Sequence, residues 1–339
     1  MKVALLVNHL ALTGVNNVVL DLATQLVKYG HVCTVFHLKE NAETMAFPCE
    51  VRVADVRMFQ EYDVVHAHGL LPEIWVCRNR PRRCRAKCVT TLHCYCFQDL
   101  PDLYGPIKGY AMGLLYLWMK RPFDRVVCLS KDMMGYYGRF LQKRKLTYAY
   151  NTRSLMLDGS RSNSRDEKYQ GKVVIGMNGV LIQRKGVDLM LQALSLLPDR
   201  FVLRLAGDGK ERKRFEAMAE SLGVADRVEF MGMVSQAWAL LPQYDILALP
   251  SRSEGFPLAL LEAAVYRKKV VVSDLPIVKE CFNNHVDVEM FLLGEGAEGL
   301  KDAILKAENN SQLETNIQQL FQDKYSPECF YHRYMEIYG

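Results

Sequence analysis

Apolar residues fall along this chain in two regular patterns. Short runs of four to six apolar or β-branched residues recur, and between them lie stretches whose apolar positions repeat every three or four residues. The first pattern is that of buried strands and the second of amphipathic helices. KVALLVN opens the series. An amphipathic stretch over residues 15–29 follows, ended by Gly30, and then the run HVCTVFHL. DVVHAH, KCVTTLH, RVVCLS and KLTYAYN continue the first half, with helical segments between some of them. Strands alternating with crossover helices predict parallel α/β sheets.

The alternation stops between residues 153 and 171. LDGSRSNSRDEKYQG is polar and without period, which predicts an interdomain linker. It then resumes with VVIGMNG, FVLRLAG, RVEFMG, DILALP and KVVVSD. Helices are predicted over 187–197, 210–222 and 257–266, and a last helix from about residue 323 carries Phe330, Tyr334, Ile337 and Tyr338 on one face. The expected architecture is two Rossmann-like α/β domains facing across a cleft. The N-terminal domain spans 1–153 together with a returning helix over 323–339, and the C-terminal domain spans 171–322. A chain of 339 residues supplies a core for each. Ligands of open parallel sheets sit beyond the carboxyl ends of the strands, so the chemistry is expected in the loops that follow them.

Composition changes this picture little. No apolar run reaches the roughly 20 residues of a membrane-spanning helix. The apolar start lacks a cleavage pattern and reads as a first strand, so a cytoplasmic protein is expected. The ten cysteines read as reduced thiols. Cys84, Cys88, Cys94 and Cys96, with His93, are zinc-ligand types, but they lack the paired C-x2-C spacing of zinc modules. The net charge of +5 is mild but concentrated, with six cations from Arg78 to Lys87. The segment 108–123, KGYAMGLLYLWMKRPF, adds apolar bulk and a tryptophan flanked by cations. Together they predict docking on an anionic inner-membrane surface; a solvated loop and a core-facing helix are the plainer readings. Nucleic acid is not expected as a partner.

The most informative stretch is DILALPSRSEGFPLALLEA, residues 245–263. A strand ends at Pro250, and Pro257 is placed at the first position of a helix. The amides of Leu258 and Ala259 then face outward at a positive helix end, a natural diphosphate site. Glu254 precedes the helix and Glu262 lies within it. Eight helical positions span about 12 Å. That is more than the roughly 5–9.5 Å between glycosidase carboxyls, so the pair suits two ends of one extended ligand.

PSRSEGFPLALLEA resembles the signature of glycosyltransferase family 4, two glutamates separated by seven residues. GVLIQRKGVDLMLQAL is similar to that family's phosphate loop and LRLAGDGKERKRFEAMAESLGVADRVEFMGMV to its central block. TGVNNVVLDLATQLVKYGHVCTVF resembles its first loop and helix, and DVVHAHG its histidine loop. The resemblance runs from Lys2 to about Asp274. It implies a GT-B fold and a retaining, metal-independent transfer from a nucleotide-sugar, UDP-hexose first, to a glycan or lipid-linked acceptor. The setting implied is lipopolysaccharide, O-antigen or capsule synthesis. By that resemblance Glu254 and His68 are catalytic. Gly14, Lys185, Glu254, Gly255, Phe256, Pro257, Leu258, Ala259 and Glu262 hold the donor, with Glu262 on its ribose. Ser130 and Asn151 are further cleft candidates, and His66 reads as a core histidine.

Two positions depart from the family. Val180 stands where an arginine is usual, and Arg184 is expected to replace that charge. Thr13-Gly14 stands where two glycines are common. No Asp-x-Asp metal motif occurs; Asp287-Val-Glu289 is the nearest lookalike, so no cofactor and no metal are expected. A nicotinamide dehydrogenase lacks support because NHLALTG is not a G-x-G-x-x-G turn. A nucleotide-sugar epimerase of the same fold, or a non-catalytic nucleotide-sugar binder, are the remaining alternatives.

Overall fold

The computed structural model describes residues 1–40, 45–155 and 167–339. Contacts divide the chain into unit 1, Met1–Ser154 with Lys324–Gly339, and unit 2, Leu155–Asp323. The stretch predicted as a linker falls largely on 156–166, outside the described residues.

Among the described residues, unit 1 builds a seven-stranded parallel sheet. Its strands are β1 (Lys2–Val7), β2 (Val32–His37), β3 (Glu50–Val53), β4 (Val64–His68), β5 (Lys87–Thr91), β6 (Arg125–Cys128) and β7 (Leu146–Tyr148). They lie in the order β3-β2-β1-β4-β5-β6-β7. The helices are α1 (Gly14–Lys28), α2 (Met58–Glu61), α3 (Leu70–Asn79), α4 (Cys96–Tyr104), α5 (Pro106–Trp118) and α6 (Lys131–Tyr137). Central strands are buried on both faces, which is why β1 reads as an apolar run after Lys2 and β4 as one broken only by His66 and His68. The edge strand β3 is exposed at all four residues and left no such signature.

Unit 2 repeats the plan with β8 (Val173–Asn178), β9 (Phe201–Ala206), β10 (Val228–Gly232), β11 (Ile246–Leu249), β12 (Lys269–Ser273) and β13 (Glu289–Phe291), in the order β10-β9-β8-β11-β12-β13. Its helices are α7 (Val187–Leu196), α8 (Arg212–Ser221), α9 (Leu258–Val265), α10 (Pro276–Cys281), α11 (Gly296–Asn309) and α12 (Leu313–Leu320). Its core is centred on Ile175, Leu191, Leu203, Phe215, Ala248 and Ile304. The last helix, α13 (Pro327–Tyr338), belongs to unit 1. There the Tyr331 ring stacks 3.8 Å from Tyr29, and the Tyr338 hydroxyl lies 2.7 Å from His66 Nδ1. No helix among the described residues is long and apolar enough to cross a membrane.

In both sheets the strand order reverses beside the first strand, between β1 and β4 and between β8 and β11. Crossovers leave in opposite directions there, so the loops at the carboxyl ends part and leave a crevice.

Candidate active site

In unit 2, β8 and β11 are register neighbours, Ile246 opposite Ile175. The loops that follow them, 179–186 and 250–257, therefore flank the switch point. They are fastened to each other. Lys185 Nζ lies 2.6 Å from Glu254 Oε1, and Ser251 Oγ donates to the same oxygen at 2.6 Å. Arg184 Nη1 donates to Ser253 O at 2.8 Å, while the Arg184 carbonyl accepts from Arg252 N at 2.7 Å. Arg252 grips Asp188 at the start of α7 through two contacts of 2.8 Å. Gly186 makes this approach possible. Its φ is +74°, and a Cβ there would stand 1.9 Å from Pro250 O, so a side chain is excluded.

Glu254 is only 9% exposed. Burial pushes its carboxyl up, but the Lys185 ammonium, the hydrogen bonds from Lys185 and Ser251, and the charge of Arg184 together hold it below the usual range. A buried carboxylate kept ionised beside a lysine is an acceptor for hydroxyls rather than an acid. Glu262 is equally buried, one face of α9 being packed inward.

Pro257 is not the first helical residue, as the sequence suggested. It is the N-cap, with φ −76° and ψ 93°, and α9 begins at Leu258. Leu260 N donates to the Pro257 carbonyl at 3.0 Å. The amides of Leu258 and Ala259 lie in the first turn, where the helix offers no acceptor. Gly255 and Phe256 are buried in the approach to it. Val180 is 51% exposed and brings no charge to the phosphate loop.

Unit 1 has its own switch point, β1 against β4. Gly14 is the first residue of α1, where Thr13 Oγ1 caps the Asn16 amide at 3.2 Å. Asn16 Nδ2 donates to His9 O and Ala11 O at 2.8 and 2.7 Å, fixing the loop after β1. His66 and His68 share a face of β4, ring centroids 4.1 Å apart. His66 is satisfied at both nitrogens, by Tyr338 Oη and by Thr91 Oγ1 at 2.8 Å. His68 Nδ1 lies 3.2 Å from His93 Nε2, and its buried Nε2 has no hydrogen-bond partner among the described residues. Asn8 Oδ1, just past β1, and Asn151 Oδ1, beyond β7, are in the same condition. Buried polar atoms are seldom left so, and all three stand at strand carboxyl ends. Ser130 is accounted for as the N-cap of α6, accepting from Met133 N at 2.9 Å.

His93 is the site residue that sequence reading set aside with the cysteines. It stands two residues past Thr91, the register partner of His68, at the end of KCVTTLH. Two neighbouring strands ending in histidines two positions apart were the available signal. Burial lowers His66 to about 3, with the charge of His93 adding to it, and lowers His93 to about 4, with Lys120 adding. His68 falls well below the usual value, through burial first and then His66 and His93. All three rings are neutral at neutral pH.

No group of three or more metal-ligating side chains among the described residues is placed to hold an ion. Cys84 and Cys88 approach to 4.0 Å between sulfurs, and both also face the Ala86 carbonyl. Asp287 accepts from the Asn283 amide and side chain at 2.7 and 2.9 Å, and Glu289 from His285 Nδ1 at 2.6 Å. Asp287-Val-Glu289 thus braces a local turn.

Two Rossmann-like units with crevices at their switch points define the class, a GT-B glycosyltransferase fold. A family model for glycosyl transferases group 1 matches residues 160–320, and one for glycosyltransferase family 4 matches residues 51–152. The chain belongs to this family of glycosyltransferases. It is 28% identical to the Escherichia coli O-antigen biosynthesis glycosyltransferase WclY, over 100% of this chain and 98% of that one. A second relative, at 23% over 78% and 77% of the two chains, is a Campylobacter jejuni undecaprenol-linked glycan α-1,4-N-acetyl-D-galactosaminyltransferase. The Anabaena HepE structure with UDP and glucose superposes with TM-score 0.81 over 99% of both chains at 18% identity, a likeness of fold.

Proposed function

We propose that the protein transfers a hexose-type sugar from a UDP-sugar to a glycan or lipid-linked acceptor in O-antigen or related surface-polysaccharide synthesis. The observation that carries this reading is the Lys185–Glu254 pair across the unit 2 switch point, beside the first turn of α9. In this assignment Lys185 and the amides of Leu258 and Ala259 receive the diphosphate, Glu254 accepts from sugar hydroxyls, and Glu262 accepts from the ribose. Gly14 lets the first loop approach, Arg184 adds charge, and His68 addresses the transferred sugar. UDP in the HepE structure and the undecaprenol-linked substrate in the Campylobacter enzyme's name support the donor and acceptor classes.

The proposed chemistry is retaining and metal-independent. The acceptor hydroxyl attacks from the face the diphosphate leaves, and the departing phosphate oxygen takes its proton. The C–O bond to the acceptor forms as the bond to phosphate breaks, so no carboxylate base is needed. Lysine and the helix end neutralise the leaving charge in place of a divalent ion.

A thermal-shift screen of nucleotide-sugars tests the donor; a ligand at a hundred times its Kd adds about 2.7 kcal/mol. Transfer is then assayed with undecaprenol-linked acceptors, before and after chelation. An α donor should give an α product by NMR. A β product, or activity lost on chelation and restored by magnesium or manganese, refutes the mechanism. Donor binding without transfer or hydrolysis leaves only a nucleotide-sugar binder.

A further inference from the structure

We infer that unit 1 carries an anion site of its own, along the edge of its sheet, that takes a soluble di- or polyphosphate. This goes beyond the transferase reading and uses none of its residues. The observation is a cavity of about 560 Å³ lined by Arg125, Arg144 and Arg333, with the edge strand β7 and the α13 residue Glu336 beside them. Arg125 and Leu146 open β6 and β7, so the cavity reaches the amino ends of these strands. The crevice lies at the carboxyl ends of β1 and β4, and β7 is three strands further along the sheet than β4.

Several arginines of unit 1 are matched by acids. Arg80 is held by Asp124 at 2.9 Å, Arg85 by Asp63 at 3.3 Å and Arg153 by Asp21 at 2.9 Å. Part of the basic run 78–87 therefore braces the unit. Arg125, Arg144 and Arg333 have no ion-pair partner among the described residues, and Glu336 is the one carboxylate in the cavity wall. Three guanidiniums against one carboxylate leave two positive charges over.

Two of the guanidiniums are already fixed. Arg125 Nη1 donates to Arg144 O at 2.9 Å, tying the start of β6 to the turn before β7. Arg333 Nη2 donates to Lys324 O at 2.6 Å, and the guanidinium lies 4.9 Å from the centre of the Tyr150 ring. Arg333 Nη1 is buried and has no hydrogen-bond partner among the described residues. A cationic donor enclosed without an acceptor is costly, and an oxyanion in the adjoining cavity brings the missing negative charge. A guanidinium held in place with donors unspent suits phosphate oxygens, which it can take two at a time. Thr147 and Tyr148 add hydroxyls to the lining.

Size and charge select the ligand. Small-ligand cavities run from about 300 to 1,000 Å³, and three guanidiniums from three separate elements call for more than one oxyanion group. A diphosphate or longer chain supplies them. Once bound, it joins α13 to β6 and to the turn before β7, so it should fasten the returning helix to the sheet and raise the Tm.

The test is calorimetric titration of the full chain with inorganic pyrophosphate and with tripolyphosphate, free of divalent metal and at low salt, with sulfate as the control. It is run on the wild type and on Lys185→Ala, which weakens the diphosphate site proposed in unit 2. In both, one equivalent should bind that depends on the edge arginines: Arg144→Gln and Arg333→Gln should each weaken it about tenfold. Glu336→Gln removes the opposing charge and should tighten it about threefold. Sulfate should bind at least about tenfold more weakly than pyrophosphate. Should Arg333→Gln not fold, Arg144→Gln and Glu336→Gln decide, since both positions are exposed. The proposal is overturned if Lys185→Ala binds no polyphosphate at millimolar concentration, or if sulfate binds as tightly as pyrophosphate. It also fails if Arg144→Gln and Glu336→Gln leave the affinity unchanged, which would assign all of the binding to unit 2 or to unspecific charge.

Discussion

Lys185 Nζ and Glu254 Oε1 stand 2.6 Å apart although 69 residues separate them in sequence. Each is the other's counter-charge in a nearly dry crevice, so neither can be changed alone without consequence. Glu254→Gln keeps the shape and removes the charge. The expected result is a fall in kcat of at least about a hundredfold, the scale of a lost transition-state contact. Steady-state kinetics with the donor found by screening checks it, and near wild-type turnover sinks the assignment.

Arg184→Ala and Lys185→Ala should both weaken donor binding, each by roughly tenfold, the scale of one charge-assisted hydrogen bond. Arg184 also holds Ser253 O, so part of its effect comes through the loop. Calorimetry with the donor measures both. Equal affinity in wild type and Arg184→Ala would leave that arginine as a loop brace only.

Gly186→Ala should cost about 2 kcal/mol or more, because alanine is strained at φ +74° and its Cβ meets the Pro250 carbonyl. Denaturant unfolding reads the loss. A variant as stable as wild type would mean the two loops part freely.

The buried histidines give unit 1 a pH-dependent stability. In the unfolded chain each takes a proton near pH 6.5, whereas His66 and His93 resist protonation until about 3 and 4. Below 6.5 the unfolded state therefore binds more protons. Stability is fully present above pH 6.5 and declines as pH falls from there toward 4, by up to about 1.4 kcal/mol per pH unit for each ring. Denaturant midpoints between pH 4.5 and 7.5 should slope accordingly. His66→Asn should flatten the slope; an unchanged slope would place the linkage elsewhere.

Glu73 and Lys120 form an ion pair shut off from solvent, with Thr90 Oγ1 donating to the carboxylate and Lys120 Nζ 3.4 Å from the centre of the Tyr116 ring. Burial raises the Glu73 carboxyl and lowers the Lys120 ammonium, each opposed by the other's charge. Removing one partner strands the other, so Glu73→Leu or Lys120→Met alone should cost about 3–5 kcal/mol, and the double variant should recover most of it. A double-variant cycle that is simply additive would refute the coupling.

The two-sheet fold was legible because strands buried on both faces are mostly apolar: β1, β4, β8, β9 and β11 lie on largely apolar runs, and the one charge in their middles, Arg204 in β9, is paired with Glu229 at 2.6 Å. β3 was not, because its exposed edge position lets Glu50 and Arg52 alternate with valines. β13 is three residues long, too short for any period. At the site, Glu254 and Lys185 were visible through local motifs. Their ion pair was not, since it depends on β8 and β11 becoming neighbours. The capping role of Pro257 was missed because proline suits either side of a helix start. The surplus of Arg80 and Arg85 in a basic run looked like free charge until Asp124 and Asp63 were placed beside them.

The return of α13 to unit 1 orders events during synthesis. Unit 2 is one continuous stretch and can close on itself while the remainder is still being translated. Unit 1 begins before unit 2 and is completed after it. Until Tyr338 emerges, His66 Nδ1 lacks its partner and Tyr29 its stacked ring. Until then that flank of the sheet is left without the helix that covers it. An element made after all of unit 2 thus completes the domain begun before it, so the two domains mature in the reverse of their order of appearance.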